Sequence, residues 1–203
     1  MTKITALFWD LGGVVLTNGW DVRTRKLAAE TFGLDWEEFQ HRHQALVDTL
    51  ETGRLTLEKY LKLVVFYRER SFDMDEFIRF IKSQSNVMPE TIALLKQLKN
   101  KRKYLIATLN NESKELNDFR IQEFKLKDYF EIFFNSGNLG VRKPDPAMFE
   151  LALSVTQRPA EECIFIDDRE FNLELARERS MNTILFKSPN QLKDELSVFG
   201  VTV

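Results

Sequence analysis

Four charged side chains, spread along the whole chain, are of types that combine into a recognisable chemistry. Asp10 sits inside the apolar run LFWDLGGVVL, Leu7 to Leu16, and is followed almost at once by Gly12-Gly13. Asp167 and Asp168 close the run CIFIDD, and Lys143 lies in GVRKPDP. A carboxylate buried without partners is costly, so Asp10 is either compensated or used; the plain alternative is that it only caps the next turn. Three carboxylates brought together would repel and become partly protonated unless a cation bound among them. Hard oxygen donors with few His or Cys favour Mg²⁺ over zinc. Mg²⁺ held by one or two carboxylates keeps open positions for water and a phosphate oxygen. Lys143 and the amide of Asn110 would neutralise the remaining phosphate charge. Gly12 and Gly13 would let backbone N–H groups turn towards the same anion. With a metal screening it, the Asp10 carboxylate is set to attack phosphorus and form an aspartyl-phosphate.

That chemistry requires segments far apart in sequence to meet, and the hydrophobic pattern supplies the means. ITALFW (4–9), YLIATL (104–109), CIFIDD (163–168) and NTILF (182–186) are short, nearly continuous apolar runs, with a weaker one, EIFFNS, at 131–136. Such runs suit a parallel sheet covered on both faces, where strands need not alternate. Helical patterns separate them at 89–100, 113–124, 145–156 and 170–180. Alternating strands and helices predict an α/β fold, a doubly wound Rossmann-like sheet with right-handed crossovers. Ligands of such sheets bind beyond the carboxyl ends of the strands. Asp10, Thr108–Asn111 and Asp167-Asp168 all fall at those ends.

The interval from Asn18 to Asn86 breaks the rhythm. It has no convincing strand and four helical stretches, 21–32, 36–51, 56–70 and 73–85. An interval this long is not expected to be a bare loop, so it reads as a small helical cap inserted after the first strand. The expected organisation is a core of 1–17 and 87–203, with a cap of 18–86 joined by short hinges.

The 203 residues suffice for a sizeable core, and 43% hydrophobic with 30% charged residues is ordinary for a globular protein. A formal charge of −2 with no dominant basic face argues against nucleic-acid and membrane-surface binders. No apolar run approaches bilayer length and no signal-peptide core forms, so a cytoplasmic location is expected. The lone cysteine, Cys163, leaves no intramolecular disulfide and no cysteine-rich zinc site, and reads as a buried strand thiol.

FWDLGGVV, LIATLNN, GVRKPDPAMFE and FIDDREFN resemble, in order, the four motifs of the haloacid dehalogenase-like hydrolase superfamily. More narrowly they resemble its branch of small sugar-phosphate phosphatases and epoxide-hydrolase N-terminal phosphatase domains. The resemblance covers nearly the whole chain, and the helical insertion lies where that branch carries its cap. It implies that Asp10 is the nucleophile and a metal ligand, and that Gly12 offers its carbonyl to Mg²⁺. Asn110 falls where the family has Ser or Thr for the phosphoryl oxygens, with Thr108 as the substitute if the register slips by two. Lys143 matches the lysine that pairs with nucleophile and phosphoryl group. Asp168 would be the direct acidic metal ligand and Asp167 would act through a bound water, while Asn172 orients the loop. The implied substrate is a small phosphorylated metabolite.

Two departures matter, and Asn110 for Ser or Thr, which keeps a donor, is the lesser. Phosphatases of the family carry a second Asp two residues after the nucleophile as general acid and base, and here that position is Gly12. Two other readings therefore stand beside the phosphatase: a metal-independent dehalogenase-type hydrolase, and a catalytically weak phosphoryl-binding protein. In the cap, HRH at 41–43 reads first as a solvated helix face, with His41 or His43 as a replacement acid the alternative. Gly53 is expected to turn the chain between two cap helices so that ETGR, 51–54, reaches the site. The expected substrate contacts are Gly12, Gly13, Asn111, His43 and Arg54. Phe39, Leu46, Leu50, Leu57, Leu61 and Phe66 read as cap core.

Overall fold

A computed structural model describes residues 3–203. The chain opens with β1 (Ala6–Trp9), then passes through α1 (Val22–Phe32), α2 (Trp36–Glu51), α3 (Leu57–Val64) and α4 (Met74–Ser83). It continues as α5 (Pro89–Lys101), β2 (Leu105–Asn110), α6 (Lys114–Glu123), β3 (Ile132–Asn135), the single turn α7 (Ser136–Leu139) and α8 (Pro146–Thr156). The last elements are β4 (Cys163–Asp167), α9 (Glu170–Arg177), β5 (Asn182–Leu185) and α10 (Pro189–Val198). The five strands form one parallel sheet in the order β3-β2-β1-β4-β5.

Both faces of the sheet are covered, which is why its strands are mostly apolar, with polar residues concentrated at their ends. Leu7 and Trp9 of β1 pack with Ile106, Ile164 and Ile184 against Leu94, Leu95 and Leu98 of α5 and Leu192 and Leu196 of α10. Ala6 and Phe8, on the opposite face, pack with Ala107, Leu109 and Phe165 against Met148, Phe149 and Ala152 of α8 and Leu173 of α9. Cys163 is buried in this second layer, and burial pushes its thiol up to about 12, so it stays a protonated apolar filler. Among the described residues no helix is long and apolar enough to cross a membrane.

The four helices between β1 and α5 have a core of their own. Phe39, Leu50, Leu57, Tyr60, Leu61, Val64, Phe77 and Ile81 are buried together, with Leu46 and Phe66 packed against them. Each helix starts where a short polar side chain accepts a free backbone N–H: Asp21 from Thr24, Asp35 from Glu38, Thr56 from Lys59 and Asp73 from Glu76. The linkers into and out of this helical layer are paired. Leu16 and Val87 form an antiparallel bridge, Thr17 N donates to Asn86 O at 2.8 Å and Met88 N donates to Val15 O at 3.0 Å.

Two elements differ from expectation. α3 stops at Val64, not near residue 70, and the following turn is closed by Arg70 Nε donating to Val65 O at 2.8 Å. α10 had no counterpart in the periodicity reading, although Ser188 and Gln191 form a reciprocal capping box with Pro189 at the first helical position.

Candidate active site

The sheet register builds the site. Trp9 lies level with Thr108 on β2 and Ile166 on β4, and Asp10 N donates to Ile166 O at 2.8 Å. Asp10 and Asp167-Asp168 therefore leave neighbouring strands at the same edge. Asp10, Asp167 and Asp168 each offer a carboxylate oxygen, and these oxygens all lie within 4.8 Å of one another.

Lys143 is driven between two of them. Its Nζ donates to Asp167 Oδ2 at 2.6 Å and to Asp10 Oδ1 at 3.0 Å, and only 2% of the residue is exposed. Asn111 holds the lysine in place through the backbone, accepting from Lys143 N at 2.8 Å and donating to Lys143 O at 2.7 Å. Burial works against the Lys143 charge, but the Asp10 and Asp167 carboxylates more than offset it and raise its pKa. One ammonium does not satisfy three carboxylates. Burial first, then Asp167 and Asp168, push Asp10 up to about 7 despite the pull of Lys143. Burial and Asp167 likewise push Asp168 up.

The donor set fits a hard divalent cation. Asp167 is fully buried and its oxygens are already occupied by Lys143, by Asn172 Nδ2 at 3.1 Å and by Arg169 N at 2.8 Å. Asp168 differs: its Oδ1 is sealed from solvent yet has no hydrogen-bond partner. Among the described residues no hydrogen bond ends on the Gly12 carbonyl either. Asp10, Asp168 and Gly12 thus present oxygens that a Mg²⁺ ion would satisfy.

A cavity of about 90 Å³ opens over these groups, lined by the sheet edge on one side and by the helical layer on the other. The core contributes Asp10, Gly12, Asn111, Glu112, Arg142 and Lys143, while His43, Leu50 and Glu51 come from α2 and Trp20 from the segment before α1. Arg142 ties the two parts together through an ion pair with Glu51 at 2.9 Å, and Leu57 N donates to Glu115 Oε1 at 3.1 Å. A second buried pair, Arg120 with Glu112 at 2.8 Å, lies at the cavity wall.

A model of the haloacid dehalogenase-like hydrolase family matches residues 4–178. The chain belongs to the haloacid dehalogenase-like hydrolases. Among curated proteins, it is 27% identical over 202 residues to drimenol cyclase drtB of Aspergillus calidoustus, covering 97% of this chain and 37% of that protein. It is 37% identical over 82 residues to the chloroplast flavin mononucleotide hydrolase 1 of Arabidopsis thaliana, covering 40% of this chain and 33% of that one. The chain thus spans about a third of the length of these relatives. A HAD family enzyme from Bacteroides thetaiotaomicron has the same fold, with a TM-score of 0.79 at 22% identity over 98% of this chain and 99% of the other. That enzyme has also been crystallised with magnesium and inorganic phosphate.

Within this haloacid dehalogenase-like site, four expectations need correcting. Asn110, the last residue of β2, does not line the cavity: it is 1% exposed and its Nδ2 donates to Asn117 Oδ1 at 3.2 Å. Thr108 is no substitute, being fully buried two residues further from the edge. Gly13 does not offer its N–H to an anion, because that group donates to Leu16 O at 2.7 Å. Its glycine serves packing instead: φ is +75°, and a Cβ there would lie 2.2 Å from Asp168 Oδ2. Arg54 does not line the cavity and pairs with the exposed Asp48, while the arginines that do line it are Arg120, Arg142 and Arg169.

His43 lines the cavity, but not as an exposed group or as a charged acid. It is 5% exposed, and its Nδ1 lies 2.7 Å from the Tyr60 hydroxyl. Burial, then the charges of Arg25 and Arg142, hold it down at about 3, so it is neutral at physiological pH. An unfolded histidine titrates near 6.5 (about). Between those values the unfolded chain binds the extra proton, so stability falls as pH drops from about 6.5 towards 3. In urea unfolding at pH 7.5 and 5.5, His43→Gln should lose less stability between the two pH values than the parent protein. The difference is bounded by about 1.4 kcal/mol per pH unit. An identical loss in both proteins contradicts a neutral buried His43.

Three residues carry geometry that the motifs did not flag. Asn18 favours the charged form of Asp168 against burial, and its Oδ1 lies 2.6 Å from where a Gly12 Cβ would stand. Glu51 is raised chiefly by burial, against the pull of Arg142. Arg142 itself was legible only as the neighbour of Lys143 in GVRKPDP.

Proposed function

We propose that the chain is a Mg²⁺-dependent phosphomonoester hydrolase that acts on a small phosphorylated metabolite through an aspartyl-phosphate. The observation that carries this reading is the crowding of Asp10, Asp167 and Asp168, with one buried ammonium bonded to the first two and Asp168 Oδ1 left without a hydrogen bond, its nearest cation being Arg169 at 4.0 Å. An apolar halide site gains nothing from a second and third carboxylate, which is why the dehalogenase reading is set aside. The flavin mononucleotide hydrolase among the relatives, and the magnesium and phosphate bound by the Bacteroides enzyme, support the same class.

Asp10, the Gly12 carbonyl and Asp168 would hold the metal directly, with Asp167 acting behind them. When bound, the metal offsets the repulsion between an anionic nucleophile and an anionic phosphate. Lys143 steadies Asp10 at 3.0 Å and adds positive charge beside the phosphoryl oxygens. A carboxylate oxygen of Asp10 forms a bond to phosphorus as the ester oxygen leaves, and that oxygen takes its proton from water. Water then attacks phosphorus, releasing phosphate and restoring the Asp10 carboxylate. The cap covers the cavity during both displacements and limits the access of bulk water.

Turnover of aryl phosphates with Mg²⁺, lost with chelator and restored by added Mg²⁺, tests this function. Release of halide from 2-haloacids without metal would replace it by the dehalogenase reading. Asp168→Ala should raise the Mg²⁺ concentration for half-activation by about 10-fold or more, the scale seen when the groups around a metal are lost. Asp167→Ala should shift it less, because its oxygens already bond Lys143, Asn172 and Arg169. The opposite order reverses the two roles.

A further inference from the structure

The ring of His43 has two nitrogens and only one of them is explained by the packing of the cap. Nδ1 lies 2.7 Å from Tyr60 Oη, and Tyr60 Oη in turn lies 3.3 Å from Trp20 Nε1. The direction of this chain follows from counting protons. An indole nitrogen only donates, so Trp20 gives its N–H to the Tyr60 oxygen. Tyr60 is fully buried, and burial pushes its phenol well above the ordinary range, so it keeps its proton. Among the described residues the hydroxyl has no acceptor in reach other than His43 Nδ1. If Nδ1 carried a hydrogen, the buried phenol O–H would be left without an acceptor, a costly arrangement. Nδ1 is therefore the acceptor, and the single imidazole proton is on Nε2.

Nε2 forms no hydrogen bond within the described chain and is not among the polar atoms sealed from solvent, so it is open on the cavity that His43 lines. The charged groups that shift the ring are Arg25 of α1 and Arg142 of the core, both cations. They disfavour a second ring proton and also any cationic group beside the ring. What Nε2–H can meet is an oxygen acceptor. The space is small: about 90 Å³, against about 300–1,000 Å³ for pockets that take drug-sized ligands. Asp10 and His43 both line this one cavity.

We propose that Trp20 and Tyr60 lock His43 as a fixed, uncharged Nε2–H donor, which selects phosphate esters whose leaving group carries a hydroxyl or carbonyl oxygen close to the phosphate. This rests on the phosphate-ester reading above and narrows its substrate class. His43 is the contacting residue; Tyr60 and Trp20 are positioning residues that act through it.

Two measurements test it on the whole chain. In ¹⁵N–¹H spectra of histidine side chains, His43 should show the Nε2–H tautomer, unchanged from pH 8 to 6, with Tyr60→Phe allowing the Nδ1–H form to appear. An Nδ1–H tautomer in the parent protein overturns the proposal. In calorimetry with Mg²⁺, 2-hydroxyethylphosphonate should bind about 2- to 12-fold tighter than propylphosphonate, the range of one neutral hydrogen bond. The preference should vanish in His43→Phe and shrink in Tyr60→Phe. Equal binding in the parent protein, or a preference that survives His43→Phe, overturns it. These readouts need no turnover. A protein with the expected tautomer and preference that hydrolyses no phosphate ester would sink the proposed function and leave the donor assignment standing.

Discussion

Asp10→Asn is expected to leave the fold intact and to lower turnover of any phosphate ester by on the order of 10⁴-fold or more, as when a covalent nucleophile is removed. The change is nearly isosteric. Its carbonyl oxygen still accepts from Lys143, and its backbone N–H still donates to Ile166 O. Stability should not suffer, because burial and two neighbouring carboxylates already disfavour the Asp10 charge. Without metal, the variant should melt at the same temperature as the parent or above it. The chemistry has no such substitute, since an amide oxygen is a poor nucleophile and the neighbouring Asp167 carboxylate is held by three donors. A phosphoryl or fluorophosphate-mimic adduct trapped on the parent protein should be absent from the variant. Turnover near that of the parent would remove Asp10 from the nucleophile's role.

The second large effect concerns the acid missing at Gly12. With no carboxylate there, and with His43 neutral, the leaving oxygen has no evident proton donor in the core. The parent protein should hydrolyse aryl phosphates, whose leaving groups need little help, far faster than simple alkyl phosphates. Restoring a carboxylate should raise alkyl-phosphate turnover by up to about 10²–10⁴-fold. The backbone does not resist this change, because Gly12, unlike Gly13, lies outside the left-handed region. The obstacle is Asn18, whose Oδ1 would stand 2.6 Å from the new Cβ. Gly12→Asp alone should therefore gain little, and Gly12→Asp with Asn18→Ala should gain most. A leaving-group series on the parent, both single variants and the double variant decides the matter, with Mg²⁺ affinity measured in each. A parent protein equally fast on alkyl and aryl phosphates would contradict the reasoning and direct attention to Glu51, the cap carboxyl at the cavity wall whose pKa burial raises.

The parts of the molecule legible in the sequence were those set by burial on both sides of a sheet. CIFIDD and LFWD end in charged residues because strand ends leave the core together, and parallel register then brings Asp10 and Asp167 level without any further instruction. α10 was equally visible in principle, since the Ser188–Gln191 capping box marks its start, but its apolar residues are too sparse for periodicity to stand out. The end of α3 was not visible, because neither glycine nor proline stops it. The cap's share of the site was the least legible. Gly53 makes the expected turn, with φ +70°, and its position over the core is set by close approach to Gly137: a Cβ on Gly53 would lie 2.0 Å from the Gly137 carbonyl. That contact joins segments with no local signal in common. On either side of it, Glu51 lines the cavity while Arg54 stays outside with Asp48. Asn110 shows the same limit within the core, where a partner on α6, Asn117, draws the side chain from the edge its strand position suggested.

The bridge between Leu16 and Val87 means that the chain departs for the helical layer and comes back at one point of the core. Topologically the excursion is a side branch. The strands on either side of it keep their partners whatever the branch contains, provided that its two ends arrive a single ladder rung apart. Exchange of such a branch by recombination requires that its ends match and that it meet Arg142 and Gly137 of the core as Glu51 and Gly53 do, and a branch that does both can be inherited as a cassette. The carboxylates and lysine beneath would pass from one specificity to the next without having to be assembled again.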